Sequence, residues 1–188
     1  MSPTLDDIHA AAQRIKPYIH RTPVLTNKSL NQRTDAQVYL KCENLQKVGA
    51  FKFRGACNAV FSLGDDEAAH GVCTHSSGNH AQALALAAKL RGIPAYIVMP
   101  QNAPKVKKEA VAAYGGQITF CEPTLEARES ALAKIAEETG CPYINIHDLF
   151  TDQQGRLDAK YTTDGLHLNP GGEGYGKWVA FLRKQGYL

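Results

Sequence analysis

Four short apolar runs, "GVCTHS", "AYIVMP", "QITFCE" and "YINIH", begin at residues 71, 95, 117 and 143, and segments of helical periodicity fill the gaps between them. Each run is too short for a helix. The segments 79–91, 104–113 and 124–138 instead repeat apolar residues at three- and four-residue spacing. Strands that alternate with helices of this length pair in parallel, because a parallel pair needs a long crossover and a helix supplies it. The pattern predicts an α/β fold: a three-layer, doubly wound, mostly parallel sheet of flavodoxin or Rossmann type. "YINIH" is expected to complete the sheet, with a last helix over about residues 177–184.

The flanking segments are less regular. Leu5, Ile8, Ala11, Ala12 and Ile15 recur at helical spacing behind Thr4, and Pro17 stops that helix. "RTPVLT" reads as extended, "AQVYLKCE" (36–43) as a strand, and residues 52–63 as a helix ending near Gly64. After residue 148 the chain turns polar and glycine-rich, "FTDQQGRLDAKYTTDGLHLNPGGEGYG", with no periodicity. A net charge of +3 without a basic tract gives no basis for nucleic-acid binding. Five scattered cysteines, never spaced C-x-x-C, favour neither a disulfide framework nor a metal site. No run approaches the eighteen or so apolar residues of a membrane span, and the first twenty lack the apolar stretch of a signal peptide. A soluble, cytoplasmic protein with no membrane partner is expected.

In parallel α/β sheets, ligands collect at the carboxyl ends of the strands, so the loops after strands are where a site is sought. "SSGNH" (76–80) follows the run at 71. Its small residues Ser76, Ser77 and Gly78 let backbone approach a ligand, and the helix behind directs its N–H groups and positive dipole end there. The same residues also read as a plain S-x-N helix cap. "GAFKFRGACNAV" (49–60) is similarly open: Lys52, between Phe51 and Phe53, is either a surface charge or a nucleophile whose ammonium form apolar neighbours strip of water.

"ENLQKVGAFKFRGACNAV" together with "HSSGNHAQALALAAKLRGIPAYIVMPQNAPKVKKEAVAAYGG" resembles the serine racemase and threonine dehydratase group of fold-type II pyridoxal-phosphate enzymes, over about residues 15–140. The resemblance implies that Lys52 forms the internal aldimine with pyridoxal 5'-phosphate, that Phe51 flanks the cofactor ring, and that Asn79 hydrogen-bonds its 3-hydroxyl. It implies that Ser76, Ser77, Gly78 and His80 hold the substrate carboxylate, with Ser77 as a second acid/base beside Lys52. The substrate would be an amino acid such as L-serine or L-threonine, undergoing racemisation or β-elimination, and the assembly a homodimer. Val48 stands where animal serine racemases have threonine, so nucleotide binding is not carried over.

Members of that group continue well past the matching region, and their glycine-rich phosphate loop lies in that continuation. The segment that follows here, "YINIHDLFTDQQGRLDAKYTTDGLHLNPGGEGYGKW", resembles the carboxyl-terminal block of the SGNH (GDSL-type) esterases over about residues 142–188. That resemblance implies an Asp164–His167 pair, His167 being the base for a serine such as Ser76 or Ser77. The chain has no Gly-Asp-Ser block. Two segments are therefore expected, 1–140 and 141–188, joined as an engineered or recombined hybrid that shares one sheet. Three activities are open: a pyridoxal-phosphate enzyme with little native turnover, an ester hydrolase, or a scaffold without efficient catalysis.

Overall fold

The computed structural model describes residues 4–144, 146–165, 167–169 and 172–184. It contains two compact units, one of Leu5–Tyr143 and the other of Ile144 onward together with Thr4.

The larger unit runs α1 (Leu5–Ile15), β1 (Val24–Thr26), α2 (Lys28–Thr34), β2 (Tyr39–Lys41), α3 (Lys52–Ser62), α4 (Asp65–Ala69), β3 (Val72–His75), α5 (Asn79–Arg91), β4 (Ala95–Pro100), α6 (Lys105–Ala113), β5 (Gln117–Cys121) and α7 (Leu125–Thr139). Strands β3, β4 and β5 form a parallel sheet in that order, with Thr74 opposite Ile97 and Ile97 opposite Ile118. The expected α/β class with a parallel sheet is therefore present. β1 and β2 pair antiparallel in a separate two-stranded sheet.

Burial explains why β4 is apolar throughout. Ile97 and Met99 enter the main core with Phe53, Val60 and the α5 alanines, while Val98 faces the other way, toward Cys121 and Ile135. A central parallel strand covered on both faces cannot alternate polar with apolar residues. In α3 the buried positions are Phe53, Ala56, Cys57 and Val60, the i, i+3, i+4, i+7 stripe of an amphipathic helix. That stripe leaves Lys52, Gly55 and Ala59 outside. α5 buries Ala81, Ala83, Leu84, Ala85, Ala87 and Ala88, and is enclosed almost all round. Gly71 enters β3 with φ +82°, and a Cβ there would lie 2.7 Å from the Pro94 carbonyl oxygen. Gly140 ends α7 in the left-handed conformation, φ 71°.

The smaller unit holds a 3-10 turn at His147–Leu149 and α8 (Glu173–Lys184). Phe150 and Tyr161 meet edge to face at 5.3 Å. The Lys177 ammonium lies over both rings and donates to the Tyr161 hydroxyl at 3.1 Å. No described helix is long and apolar enough to cross a membrane.

Several expectations need correction. "YINIH" is no strand: Tyr143, Ile144 and Ile146 lie outside any ladder, Asn145 lies outside the described residues, and His147 begins the 3-10 turn. Among the described residues the parallel sheet thus ends at β5, and the segment after 141 does not complete it. The strand expected over 36–43 shortens to β2, α2 and α4 were not anticipated, and α8 starts before residue 177. All five cysteines carry free thiols. Burial, with Cys141 beside it, pushes the Cys73 thiol up to about 11, which suits a packing residue rather than a nucleophile.

Candidate functional site

The site is built where helices begin. Lys52 is the first residue of α3 and Asn79 the first of α5, which leaves β3 through Ser76, Ser77 and Gly78. α3 packs along α5. The charge of Lys52 accordingly acts on His80, whose pKa is lowered chiefly by burial and further by Lys52 and His75. That shift favours the neutral imidazole, which can both donate and accept a hydrogen bond. The structure thus brings together Lys52 and the 76–80 loop, which are far apart in sequence.

Its local geometry decides between the readings left open by the sequence. Gly78 occupies the N-cap of α5 with no side-chain cap, and Ser76 Oγ accepts from the Gly78 N–H at 3.3 Å instead of from the helix. The plain serine cap is absent. Ser77 and His80 are half-buried, and Asn79 is exposed. Phe53 does not strip water from Lys52, because it is 0% exposed and points into the core. Phe51 is 61% exposed, with the Lys52 ammonium 5.1 Å from its ring centroid. A cation over an aromatic face is attracted to it, so of the two readings left open by the sequence, desolvation of Lys52 by both phenylalanines is not met.

One residue escaped the sequence reading. Lys107 Nζ, from the first turn of α6, donates to Asn79 Oδ1 at 2.7 Å. The signal was available, since α6 follows the carboxyl end of β4, the strand beside β3. None of α3, α5 and α6 carries an acidic residue in its first turn. Cations at helix N-termini oppose the helix dipole, so Lys52 and Lys107 are placed against local stability, as functional residues often are.

The loop ahead of Lys52 is pinned. Arg54 Nε and Nη2 reach Glu43 Oε2 and Oε1 at 2.8 and 2.7 Å, and Thr22 Oγ1 donates to Oε1 at 2.6 Å. These donors, Arg54 first, hold the Glu43 carboxyl at about 2 against 4.5. Between that pair and Lys52, Val48 sits at φ 58° in the left-handed region, unusual for a β-branched residue. Because the folded pKa of Glu43 is depressed, its contribution is complete above pH 4.5 and disappears as pH falls toward 2. With partial solvent screening it amounts to about 2 kcal/mol, and Glu43→Gln is expected to flatten the acid limb of a stability-versus-pH curve over that window.

In the smaller unit, His167 Nδ1 lies 2.7 Å from Asp164 Oδ2, and the His167 backbone N–H donates to Oδ1 at 2.8 Å. His167 is largely exposed. The described residues of that unit include no serine. The "NPGGEGYG" turn includes Pro170 and Gly171, outside the described residues, and α8 behind it opens on Glu173, which opposes an anion. No group of three or more potential metal ligands occurs among the described residues.

An exposed primary amine, an amide, an aromatic face and two helix N-termini without acidic side chains suit an aromatic aldehyde with an acidic ring oxygen and an anionic substituent. The donor set of Lys52, Phe51 and Asn79 therefore fits pyridoxal phosphate at its aldehyde and ring-oxygen edge. Comparison with known proteins points the same way. The Pyridoxal-phosphate dependent enzyme family matches residues 15–165. The serine racemase of Arabidopsis thaliana is 59% identical over 161 residues, 86% of this chain and 47% of that protein. The beta-hydroxyaspartate dehydratase of Paracoccus denitrificans is 56% identical over 146 residues, 78% of this chain and 46% of that protein. The structure of maize serine racemase superposes with a TM-score of 0.72 at 51% identity, covering 74% of this chain and 43% of the other. The chain spans about half the length of the relatives it matches. The family match also continues through the expected junction near residue 141, and these findings lend no support to a hybrid with an esterase.

Proposed function

Because the chain belongs to the Pyridoxal-phosphate dependent enzyme family, we propose that its larger unit carries the Lys52 half-site of an enzyme acting on β-hydroxy α-amino acids. The observation that carries this reading is the packing of α3, which begins at Lys52, along α5, which begins at the 76–80 loop after β3. The relatives named for serine and for hydroxyaspartate share that substrate chemistry. When bound, pyridoxal phosphate supplies an electron sink for the carbanion left by loss of the substrate α-proton. Lys52 Nζ takes that proton from one face. The Ser77 hydroxyl, on the loop before α5, gives a proton back for racemisation. Backbone N–H groups at the start of α5 hold the substrate carboxylate, and the neutral His80 ring hydrogen-bonds it without adding a second charge beside Lys52.

The test is exchange of the α-proton of L-serine and of 3-hydroxyaspartate for deuterium, followed by NMR with the cofactor added. Cofactor-dependent exchange is expected, accompanied by slow release of ammonia or of the D-enantiomer. No exchange from any β-hydroxy amino acid would contradict the proposal.

A second reading rests on the 2.7 Å Asp164–His167 contact, the geometry of an oriented general base. It would make the chain an ester hydrolase with His167 as the base. Hydrolysis of a short-chain ester that is lost in His167→Ala would support it, and hydrolysis unaffected by that change would dismiss it.

A further inference from the structure

We propose that Lys107 is a positioning residue of the Lys52 site, whose ammonium fixes the Asn79 amide so that its NH2 group is offered to the cofactor's ring oxygen. This rests on Asn79 being the ring-oxygen ligand, as in the function proposed above. The chemistry of the pair supports it. An ammonium has three donors and no acceptor, so across a 2.7 Å contact Asn79 must present its oxygen to Lys107 and its NH2 elsewhere. The NH2 group has only donors left, and an ionised ring hydroxyl only accepts. Without Lys107 the amide of a first-turn asparagine is free to rotate by half a turn and present its oxygen to the ring, where two acceptors would repel.

The neighbouring lysines of α6 behave differently. Lys105 pairs with Glu109 four residues on, and Lys108 donates to the Gln101 carbonyl and lies over Phe120. These three contacts stay within α6, the loop before it and β5, whereas Lys107 reaches across to α5. A cation at that point faces the positive ends of two helices that have no acidic residue in their first turns. Its position is therefore unfavourable until an anion arrives. The same charge, one amide away from the ring oxygen, favours the ionised form of that oxygen and lowers the pH at which the bound cofactor's spectrum titrates.

The experiment compares the full chain with Lys107→Met, which keeps the apolar stem, Lys107→Arg, which keeps the donor, and Asn79→Ala. In protein without cofactor, the Asn79 side-chain NH2 signals, assigned from their absence in Asn79→Ala, are expected to move in Lys107→Met and to stay close to the parent position in Lys107→Arg. With pyridoxal phosphate added, Lys107→Met is expected to bind about tenfold more weakly, the size of one charge-assisted hydrogen bond. Its spectral titration is expected to shift upward in pH, and Lys107→Arg to restore both. Lys107→Met added to Asn79→Ala should cost nothing further. Unmoved NH2 signals in Lys107→Met, or losses that multiply in the double variant, would overturn the proposal. Absence of cofactor uptake by the parent chain would instead count against the function proposed for Lys52, and the NH2 signals would still decide the role of Lys107.

Discussion

Lys52→Ala is expected to lower cofactor-dependent α-proton exchange by about 10²–10⁴-fold, the range for removing a positioned proton-transfer group, while leaving the unfolding free energy within about 0.5 kcal/mol. The two halves of this expectation come from the same geometry. Lys52 is exposed at the head of α3, and its ammonium lies 5.1 Å from the ring centroid of Phe51, itself exposed. Removing the cation costs that small attraction and relieves the opposition to the α3 dipole, two changes of opposite sign and comparable size. Lys52→Arg keeps the charge but not an amine that can attack an aldehyde, and is expected to be as inactive as Lys52→Ala. Thermal denaturation together with the exchange assay checks both. A large loss of stability in Lys52→Ala would mean that the residue is part of the fold rather than of a site.

Phe53→Ala is expected to do the reverse. Phe53 is 0% exposed at the centre of the cluster containing Ile97, Met99 and the α5 alanines. Truncating a buried phenylalanine removes its transfer free energy and leaves a cavity, together about 3–5 kcal/mol. The alanines around it have no rotamers with which to fill the space, so collapse is limited and the upper part of that range applies. Because α3 is held against α5 through this ring, the neighbouring Lys52 loses its defined position as well. Urea unfolding gives the loss of stability directly. Phe53→Leu, which keeps most of the volume, is expected to recover most of it.

These two substitutions at adjacent residues show where sequence reading succeeded and where it failed. Strands β3 to β5 and the helices between them were legible because their apolar spacing reports burial directly, on both faces for β4 and along one stripe for α3. Lys52 and the 76–80 loop stand out by their motif, but their juxtaposition was not legible, since it depends on the packing of α3 against α5. The idea that Phe51 and Phe53 together enclose Lys52 failed on helical geometry. Residues two apart along a helix point to nearly opposite sides, so once Phe53 entered the core Phe51 had to face outward. The strand expected at "YINIH" had the right alternation, but alternation does not reveal whether a partner edge is available, and pairing is a nonlocal property. β1 and β2 are three residues each and exposed, too short and too little buried to leave a periodic trace. The contact of Lys107 with Asn79 was not legible because it depends on the packing of α6 against α5, which sequence spacing does not report.

The central claim is that Lys52 is an amine placed to join pyridoxal phosphate. It is tested most directly by titrating the protein with the cofactor, reducing with borohydride, and locating the modified lysine by peptide mass. Saturable labelling confined to Lys52 and abolished in Lys52→Ala is expected. Weak labelling spread over many lysines, unchanged by that substitution, would contradict it.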